Sequence, residues 1–205
     1  MKLYYAPHTC SLAPQIVAAE AGIVLDLERV DLRTHRTETG GDYRTVSPLG
    51  YVPALRLDDG QVLTEVVAIV QYLADRASQS QLAPAAGTFE RVRLQEWLTF
   101  ISSELHKSFS PWLFHPEAGE TAQSYAKARI RDRFAFVERR LAESSHLLGD
   151  AFTTADAYCF TIVGWAKFAG IDLAAYPKLE RYMDRIAARP KVRQAMQAQG
   201  LLKAA

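Results

Sequence analysis

The chain has 205 residues, 49% of them apolar, and its 24 Lys and Arg residues against 23 Asp and Glu residues give a net charge of +1 at pH 7. A chain of this length and composition buries a core, either as one large domain or as two smaller ones. The even charge balance, without a long run of one sign, excludes the basic footprint of a nucleic-acid or anionic-membrane binder.

The sequence contains no segment typical of a secretory signal or a membrane anchor. Its first residues, MKLYYAPHTC, lack the apolar core of about 7–15 residues of a signal peptide, and no later stretch approaches the ~20 apolar residues that span a bilayer. The two cysteines, Cys10 and Cys159, are too far apart in sequence for metal-type spacing. We therefore expect a cytoplasmic protein with reduced thiols, no structural disulfide and no metal site.

The first elements are predicted to be two strands joined through a helix. Residues 2–5 and 25–32 are short strands on either side of a helix over residues 11–21, which ends at Gly22. Strands joined in this way are usually parallel, with a right-handed crossover. The stretch 33–50 has no apolar period, so it is predicted to be a loop with at most a short irregular helix.

A hairpin and another helix follow. Residues 52–57 and 61–65 flank the turn Asp-Asp-Gly at 58–60, because Asp-Gly favours the positive φ of tight turns. From Glu65 to about Ala77 the apolar side chains recur at the spacing of one buried helix face. Counting the short helix of the loop, the element order is βαβ-α-ββα.

A change in composition at residues 77–88, ASQSQLAPAAGT, indicates a domain boundary. We predict a domain over residues 1–80, a linker over 81–88 and an all-helical domain over 89–205, together an α+β protein. No strand is predicted after residue 80. The apolar residues there follow three helical stripes, namely Leu94, Leu98, Ile101 and Leu105; Ile130, Phe134, Val137 and Leu141; and Ala155, Tyr158, Cys159, Ile162 and Ala166.

Two local signals predict helix ends in the second domain. The tetrapeptide TTAD at 153–156 matches a capping box, in which Thr153 accepts from the third amide of the helix and Asp156 reaches back. Pro190 ends a helix at about Arg189, and a short helix over 191–199 follows. We expect a small ligand to bind where the two unlike domains meet.

Cys10 is the first candidate for chemistry. Between a strand and a helix, it is predicted at the helix N-cap or first turn, where free N–H groups and the positive dipole end stabilise a thiolate. A free cysteine is also a common packing residue, and that interpretation is the one we favour for Cys159 on its apolar stripe. The residues after Cys10 lack the second cysteine of a C-x-x-C motif, so only a thiol from solution could release a mixed disulfide.

Two further segments carry candidate ligand contacts in the first domain. Pro53 is either a trans edge proline or a cis proline, and the cis form would turn the backbone N–H and C=O of Val52 toward an extended peptide-like ligand. Glu65 at a helix start either complements the dipole or holds a ligand amine. The N–H groups of Glu65 and Val66 would then hold a carboxylate.

The stretch TFISSELHK at 99–107 carries the last candidates. On an α-helix, Thr99, Ser102, Ser103 and His106 share the face opposite the leucine stripe, which predicts that His106 lies outside the core. This polar face is either solvated or part of a ligand site, where His106 and Lys107 would donate hydrogen bonds to a thiolate. The other histidines have no metal-type spacing.

Four segments together resemble the bacterial beta-class glutathione transferases, over nearly the full chain: KLYYAPHTCSLAPQIVAAEAG, SPLGYVPALRLDDGQVLTEVVAIVQYLAD, EWLTFISSELHKSF and LLGDAFTTADAY. That superfamily joins a thioredoxin-like N-terminal domain to an all-α domain, and Cys10 with His106 separates the beta class from the tyrosine and serine classes. The resemblance implies a homodimeric enzyme that conjugates reduced glutathione to small hydrophobic electrophiles and has no permanently bound cofactor.

The resemblance also implies roles for single residues. Cys10 and His106 are the catalytic residues, and Cys10 can form a mixed disulfide with glutathione. Pro53 would be the family's cis-proline, and Glu104 would point toward the glutathione of the neighbouring subunit. The glutathione contacts implied are Ser11, His35, Val52, Pro53, Glu65, Val66, Thr99, Glu104 and Lys107.

Three positions depart from the family pattern. His35 stands where lysine is common, and a largely neutral imidazole is a weaker partner for the glycyl carboxylate of glutathione. Thr99 stands where asparagine is common, and His8 lies in APHTC where PGAC is common, so that His8 would crowd or polarise the site.

The electrophile pocket is the least specified part of the prediction. Candidate residues are His8, Phe109, Trp112, Trp165 and Phe168, although the four aromatic ones could equally be core. Residues 101–111 resemble transferases associated with degradation of chlorinated aromatics, which adds halogenated aromatics to the candidate substrates. Two functions compete with conjugation, namely a glutathione-dependent thiol-disulfide reductase and a non-catalytic binding module of the same fold.

Overall fold

The computed structural model describes residues 1–77 and 81–202. The chain divides into two compact units, one formed by Met1–Ala83 with Ala188–Ala205 and the other by Pro84–Ala187. Part of the predicted boundary, residues 78–80, lies outside the described residues.

The first unit is built on a five-stranded sheet with helices. Its elements are β1 Lys2–Tyr5, α1 Leu12–Glu20, β2 Asp26–Asp31, β3 Arg36–Thr37, a 3₁₀ turn Tyr43–Thr45, β4 Ala54–Arg56, β5 Val62–Thr64 and α2 Val66–Arg76. The strand order is β3-β2-β1-β4-β5. β1 pairs parallel with β2 and antiparallel with β4, so the sheet is mixed. The parallel pair has a helix between its strands, as predicted, and the β4–β5 hairpin turns at Gly60 with φ 87°.

The core of the first unit lies on both faces of this sheet. Because strand side chains alternate, Leu3 and Leu55 are buried on one face while Tyr4 and Ala54 are buried on the other. The second face carries a cluster formed by Tyr4, Ala6, Val30, Tyr43, Val52 and Ala54. This cluster places the residue before Pro53 in the core, beside the central strand.

β3 is the one strand that the sequence analysis missed. It has only two residues, Arg36 and Thr37, which pair antiparallel with Asp31 and Val30 of β2. Two residues, one of them charged, give no alternating apolar pattern, and the stretch was therefore predicted to be a loop. The short irregular helix expected in this stretch is the 3₁₀ turn Tyr43–Thr45.

The last helix, α9 (Pro190–Ala198), packs against α1 and belongs to the first unit. Arg189 makes a bidentate ion pair with Glu20 at 2.7 and 2.9 Å, and the buried Gln199 side chain donates to Gln15 at 2.8 Å. The predicted helical domain covers residues 89–205, whereas in the structure the second unit ends at Ala187. Composition does not predict that the chain rejoins the first unit after residue 187, because both units contain amphipathic helices.

The regular elements of the second unit are helices in the part of the chain that the structure describes, as predicted. Its elements are α3 Phe89–Phe100, a π-helix Ile101–His106, α4 Lys107–Phe109, a 3₁₀ turn Pro116–Ala118, α5 Gly119–Leu141, α6 Thr154–Val163, α7 Ala166–Ala169 and α8 Pro177–Ala187. The three predicted apolar stripes are all buried. The capping box at the start of α6 is confirmed, because the Asp156 carboxylate accepts from the Thr153 N–H at 2.8 Å.

The π-helix changes the environment of His106. A π turn takes about one residue more than an α turn, so the last residue of Ile101–His106 lies closer to the line of Ile101 and Leu105 than in an α-helix. His106 is only partly buried, so it lies at the edge of the core rather than inside it, with its ring packed against Tyr158 and Trp165. Among the described residues, none of the helices combines the length and the apolar character of a membrane span.

Candidate functional site

Cys10 lies directly before Ser11, the N-cap of α1, and its side chain is 9% exposed. Its Sγ donates a hydrogen bond to the Val52 carbonyl oxygen at 3.4 Å, and its own carbonyl accepts from the Ala13 N–H at 3.2 Å. The thiol therefore lies one residue before the N-cap, not at the N-cap or in the first turn as predicted, but still at the N-terminal end of the helix. Neither Cys10 nor Cys159 is part of a disulfide.

Ser11, a predicted glutathione contact, is fully buried. Its hydroxyl donates to the Ala6 carbonyl at 3.0 Å and shares a 2.7 Å hydrogen bond with the Thr9 hydroxyl. These bonds close the loop that carries His8 and Cys10. The Ser11 side chain thus holds this loop in place.

The peptide bond between Val52 and Pro53 is cis, the form implied by the family resemblance. The residue before it, Tyr51, is fixed through its carbonyl, which accepts from the Tyr43 hydroxyl at 2.8 Å and the Ser47 hydroxyl at 3.1 Å. Burial raises the pKa of Tyr43 to about 12, so this phenol stays a donor. The Val52 N–H makes no hydrogen bond within residues 1–77 and 81–202.

Glu65 is the N-cap of α2, and no side chain caps this helix end. The first N–H groups of an uncapped helix, with the positive end of its dipole, favour an anion. The Glu65 side chain itself is exposed. The Glu65 carboxylate, which can accept from an amine, and the first N–H groups of α2, which can donate to a carboxylate, therefore lie side by side. This pair suits the ammonium and carboxylate groups of an amino acid.

Three non-glycine residues in the described part of the chain have a positive φ: His8 at 63°, His35 at 54° and Glu65 at 66°. All three are among the predicted site residues. Side chains in this region of φ are uncommon, and such strain concentrates at functional sites. Residue type does not predict these backbone conformations, because none of the three residues is glycine or asparagine.

His35 packs closely on Gly50. A Cβ at Gly50 would come within 2.6 Å of the His35 Nδ1, and Gly50 itself has φ 71°. The His35 Nδ1 is buried and has no hydrogen-bond partner among the described residues. Gly50 is therefore the residue that leaves room for the imidazole.

In the second unit, His106 is held by two aromatic residues. Its Nδ1 lies 2.7 Å from the Tyr158 hydroxyl, and its ring centroid lies 5.0 Å from that of Trp165 in an edge-on arrangement. Burial, and then the charge of the adjacent Lys107, lowers the pKa of His106 to about 4. The imidazole is therefore neutral at pH 7.

Glu104, which the resemblance directs toward a neighbouring subunit, forms ion pairs within its own unit. Its Oε2 accepts from Arg129 at 2.9 Å and from Arg133 at 2.5 Å, and these bonds lower the pKa of Glu104. The two arginines lie on α5, 25 and 29 positions after Glu104, so no local sequence pattern predicts these ion pairs. Thr99 and Lys107 are exposed.

The aromatic candidates divide into core and surface. Phe109 is fully buried and packs against Phe134, so it is a core residue. Trp165 is also buried, whereas Trp112 is 46% exposed. Phe114, which the sequence analysis missed, is partly exposed and lies edge-on to Trp165 at 5.4 Å.

Cys159 is a core residue, as predicted. It is fully buried on α6, and burial raises the pKa of its thiol. Within the described ranges, no group of histidine, cysteine, aspartate and glutamate side chains could hold a metal ion. Cys10 is thus the cysteine whose surroundings are suited to thiol chemistry.

The first unit has a mixed βαβ sheet and carries a thiol at its first helix, beside a cis-proline, and the second unit is helical. These features define a thioredoxin-like thiol protein with an added helical domain. Two family models match the chain, "Glutathione S-transferase, N-terminal domain" at residues 9–76 and "Glutathione S-transferase, C-terminal domain" at residues 97–190. The chain belongs to the glutathione S-transferase family, in its bacterial beta class. Both the predicted family and the predicted fold class are confirmed.

Individual relatives agree over the full length. Glutathione S-transferase GstA of Escherichia coli O157:H7 is 42% identical over 201 residues, covering 98% of this chain and 100% of GstA. A sphingomonad glutathione S-transferase solved in complex with glutathione is 44% identical, with a TM-score of 0.95, covering 98% of this chain and 100% of that chain. The beta-class enzyme of Sphingomonas chungbukensis has the same identity, TM-score and coverage.

Proposed function

We propose that this glutathione transferase binds glutathione in its first unit, with the sulfur beside Cys10, and conjugates it to electrophiles that include halogenated aromatics. The hydrogen bond between the Cys10 thiol and the Val52 carbonyl carries the proposal, because it joins the reactive group to the backbone segment that would pair with the tripeptide. Glutathione is bound in the related sphingomonad structure.

The first unit offers a partner for each part of glutathione. The unpaired N–H and the carbonyl of Val52 suit the backbone of the cysteinyl residue. The start of α2 suits the γ-glutamyl end, with its N–H groups for the carboxylate and Glu65 for the amine. His35 is left for the glycyl carboxylate, as a hydrogen-bond donor without the permanent charge of lysine.

In conjugation the thiolate of glutathione attacks an activated ring carbon. A carbon–sulfur bond forms, the carbon–halogen bond breaks, and the halide leaves with the bonding electrons while the thiol proton passes to solvent. Lowering a thiol pKa from about 8.5 to near 7 raises its thiolate fraction at neutral pH from a few per cent to about half. The resemblance assigns His106 and Lys107 as the donors that stabilise this thiolate.

A second activity follows from the reactivity of Cys10 itself. Its thiolate can attack the glutathione sulfur of a disulfide between glutathione and another thiol, forming a mixed disulfide between Cys10 and glutathione and releasing the other thiol in reduced form. Cys159 is buried in the second unit with its pKa raised, which makes it unsuitable as a resolving thiol. A second glutathione thiolate would then attack the glutathione sulfur of the mixed disulfide, restoring the Cys10 thiolate and forming oxidised glutathione.

We also propose that the enzyme acts as a homodimer in the cytoplasm. The rings of Trp97, Phe100 and Phe136 lie 5.0 to 5.6 Å apart on α3 and α5, and Phe136 is 44% exposed. An aromatic cluster at the surface suits a second copy of the chain. Free cysteines suit a reducing cytoplasm. Sedimentation of wild type and Phe136→Glu tests the dimer, which the charge should dissociate.

The activities are tested with wild type, Cys10→Ala and the control Cys159→Ala. We expect wild type to be retained on immobilised glutathione and to turn over a chloronitroaromatic. Cys10→Ala should lose disulfide reduction but keep most of the conjugation, because a hydrogen-bonded glutathione thiolate needs no covalent partner. Loss of both activities would contradict a positioning role for Cys10, and neither retention nor turnover in wild type would favour a non-catalytic module.

A further inference from the structure

We propose that Tyr158 is a positioning residue: its hydroxyl donates to Nδ1 of His106 and holds the imidazole as the Nε2–H tautomer, which leaves that N–H as a donor to a bound thiolate. The inference rests on the proposed role of His106 and names the residue that sets the tautomer of its imidazole. Tyr158 is 1% exposed on α6, and its hydroxyl lies 2.7 Å from Nδ1, 52 positions away in the chain.

The direction of this hydrogen bond follows from the two partners. A neutral imidazole has one acceptor nitrogen and one N–H, and burial keeps His106 neutral by lowering its pKa to about 4. A phenol O–H is a stronger proton donor than a neutral imidazole N–H, and an unprotonated imidazole nitrogen is a stronger acceptor than a phenol oxygen, so the Tyr158 hydroxyl donates to Nδ1 at 2.7 Å. When Nδ1 is the acceptor, the imidazole proton resides on Nε2.

Two ring contacts fix the plane of the imidazole. The Tyr158 ring lies edge-on at 5.9 Å and 88°, and the Trp165 ring lies at 5.0 Å and 72°. Trp165 is itself buried against Phe109 and Phe114. The imidazole cannot turn without displacing these side chains.

The π-helix is the element that makes the contact. In a continuous α-helix His106 would face away from the buried stripe of Ile101 and Leu105, and therefore away from Tyr158. The π-helix Ile101–His106 brings it toward α6. Interruptions of this kind are frequent at functional sites. The Nε2 of His106 makes no hydrogen bond within the described residues, so it is left for a ligand.

The first test reads the tautomer by ¹⁵N NMR in the full-length protein without substrate. The His106 signals are assigned by their loss in His106→Ala. In wild type we expect a protonated Nε2 and an unprotonated Nδ1, and in Tyr158→Phe a mixture of both tautomers. A protonated Nδ1 in wild type, or an unchanged spectrum in Tyr158→Phe, would overturn the inference.

The second test is a double-mutant cycle on conjugation. Tyr158→Phe should lower kcat about tenfold and leave KM for glutathione unchanged, as expected for one hydrogen bond that acts on the reacting atom. In the His106→Ala background the same change should alter kcat by less than about twofold. Tyr182→Phe, which removes another buried hydroxyl, is the control and should keep kcat.

These outcomes separate the inference from the proposed function. If wild type neither binds nor turns over glutathione, the proposed function fails, and the NMR experiment still reports the tautomer. If wild type is active but Tyr158→Phe lowers kcat equally in both backgrounds, Tyr158 acts through stability alone and the inference fails. Thermal unfolding of each variant shows that the comparison is made on folded protein.

Discussion

The thiol of Cys10 and the carbonyl oxygen of Val52 lie 3.4 Å apart, although 42 positions separate the two residues in the chain. The contact joins the start of α1 to the segment before β4, whose peptide bond to Pro53 is cis. Strand pairing explains the contact: β1, which leads into Cys10, is hydrogen-bonded to β4 in register from Lys2 to Tyr4. The site therefore depends on the central sheet.

Replacing Glu65 by glutamine should raise the KM for glutathione about tenfold, because the change removes a charged acceptor for the γ-glutamyl amine. The turnover number should stay close to wild type, since this end of the tripeptide is remote from its sulfur. Steady-state kinetics with varied glutathione measure both constants.

Glu90→Gln is the matched control, because Glu90 is also an exposed carboxylate at the start of a helix, in this case in the first turn of α3. We expect no change in KM for this variant. An equal rise in both variants would indicate a general effect of surface charge and would contradict a specific contact at Glu65.

Gly50→Ala should destabilise the protein by about 2–4 kcal/mol. The new Cβ would lie within 2.6 Å of the His35 ring, and alanine at φ 71° is itself strained by about 1 kcal/mol. In a His35→Ala background the clash disappears, and the cost should fall to about 1 kcal/mol. Urea unfolding of wild type, the two single variants and the double variant gives the coupling free energy between Gly50 and His35. If the two losses of unfolding free energy simply add, the imidazole is not packed on Gly50.

Asp156→Asn should cost about 2–4 kcal/mol of unfolding free energy, whereas Tyr182→Phe should cost about 1 kcal/mol. The Asp156 carboxylate accepts from the N–H groups of Leu147 and Thr153 and from the hydroxyls of Thr153 and Tyr182. An amide would turn an NH₂ group toward these donors. A neutral effect of Asp156→Asn would mean that the carboxyl group is protonated in the native protein, which its burial also favours by raising the pKa.

The neutral state of His106 predicts how stability depends on pH. The pKa of His106 is about 4 in the folded protein and 6.5 in a free side chain, so below pH 6.5 the unfolded chain takes up a proton that the folded chain does not. Its contribution to the unfolding free energy should therefore be complete above pH 6.5 and should fall toward pH 4 by at most about 3 kcal/mol. His106→Gln should remove this part of the pH dependence, which urea unfolding at several pH values measures; identical profiles would contradict it.

Much of the fold could be predicted because its signals are local. Helix periodicity, the Asp-Gly turn and the capping box at Thr153 each depend on residues that are neighbours in sequence. β3 was missed because two residues carry no period. The placement of α9 on α1 depends on Arg189 meeting Glu20, a contact across 169 positions that no local pattern encodes.

The site was predictable in its residues but not in its geometry. Cys10 and Glu65 were found from their places at helix starts, whereas the positive φ of Glu65 leaves no trace in composition. The contact of His106 with Tyr158 depends on the π-helix, which the α-helical period of the sequence does not predict. Tyr158 was then counted only as part of an apolar stripe, although one polar group in a buried stripe is the signal that could have identified it.

The most direct test of the Cys10 site is the intact mass of the protein after incubation with oxidised glutathione. Wild type and Cys159→Ala should gain one glutathione, which reduced glutathione removes, and Cys10→Ala should gain none. A wild-type protein without the adduct, or a Cys10→Ala protein that keeps it, would contradict the account.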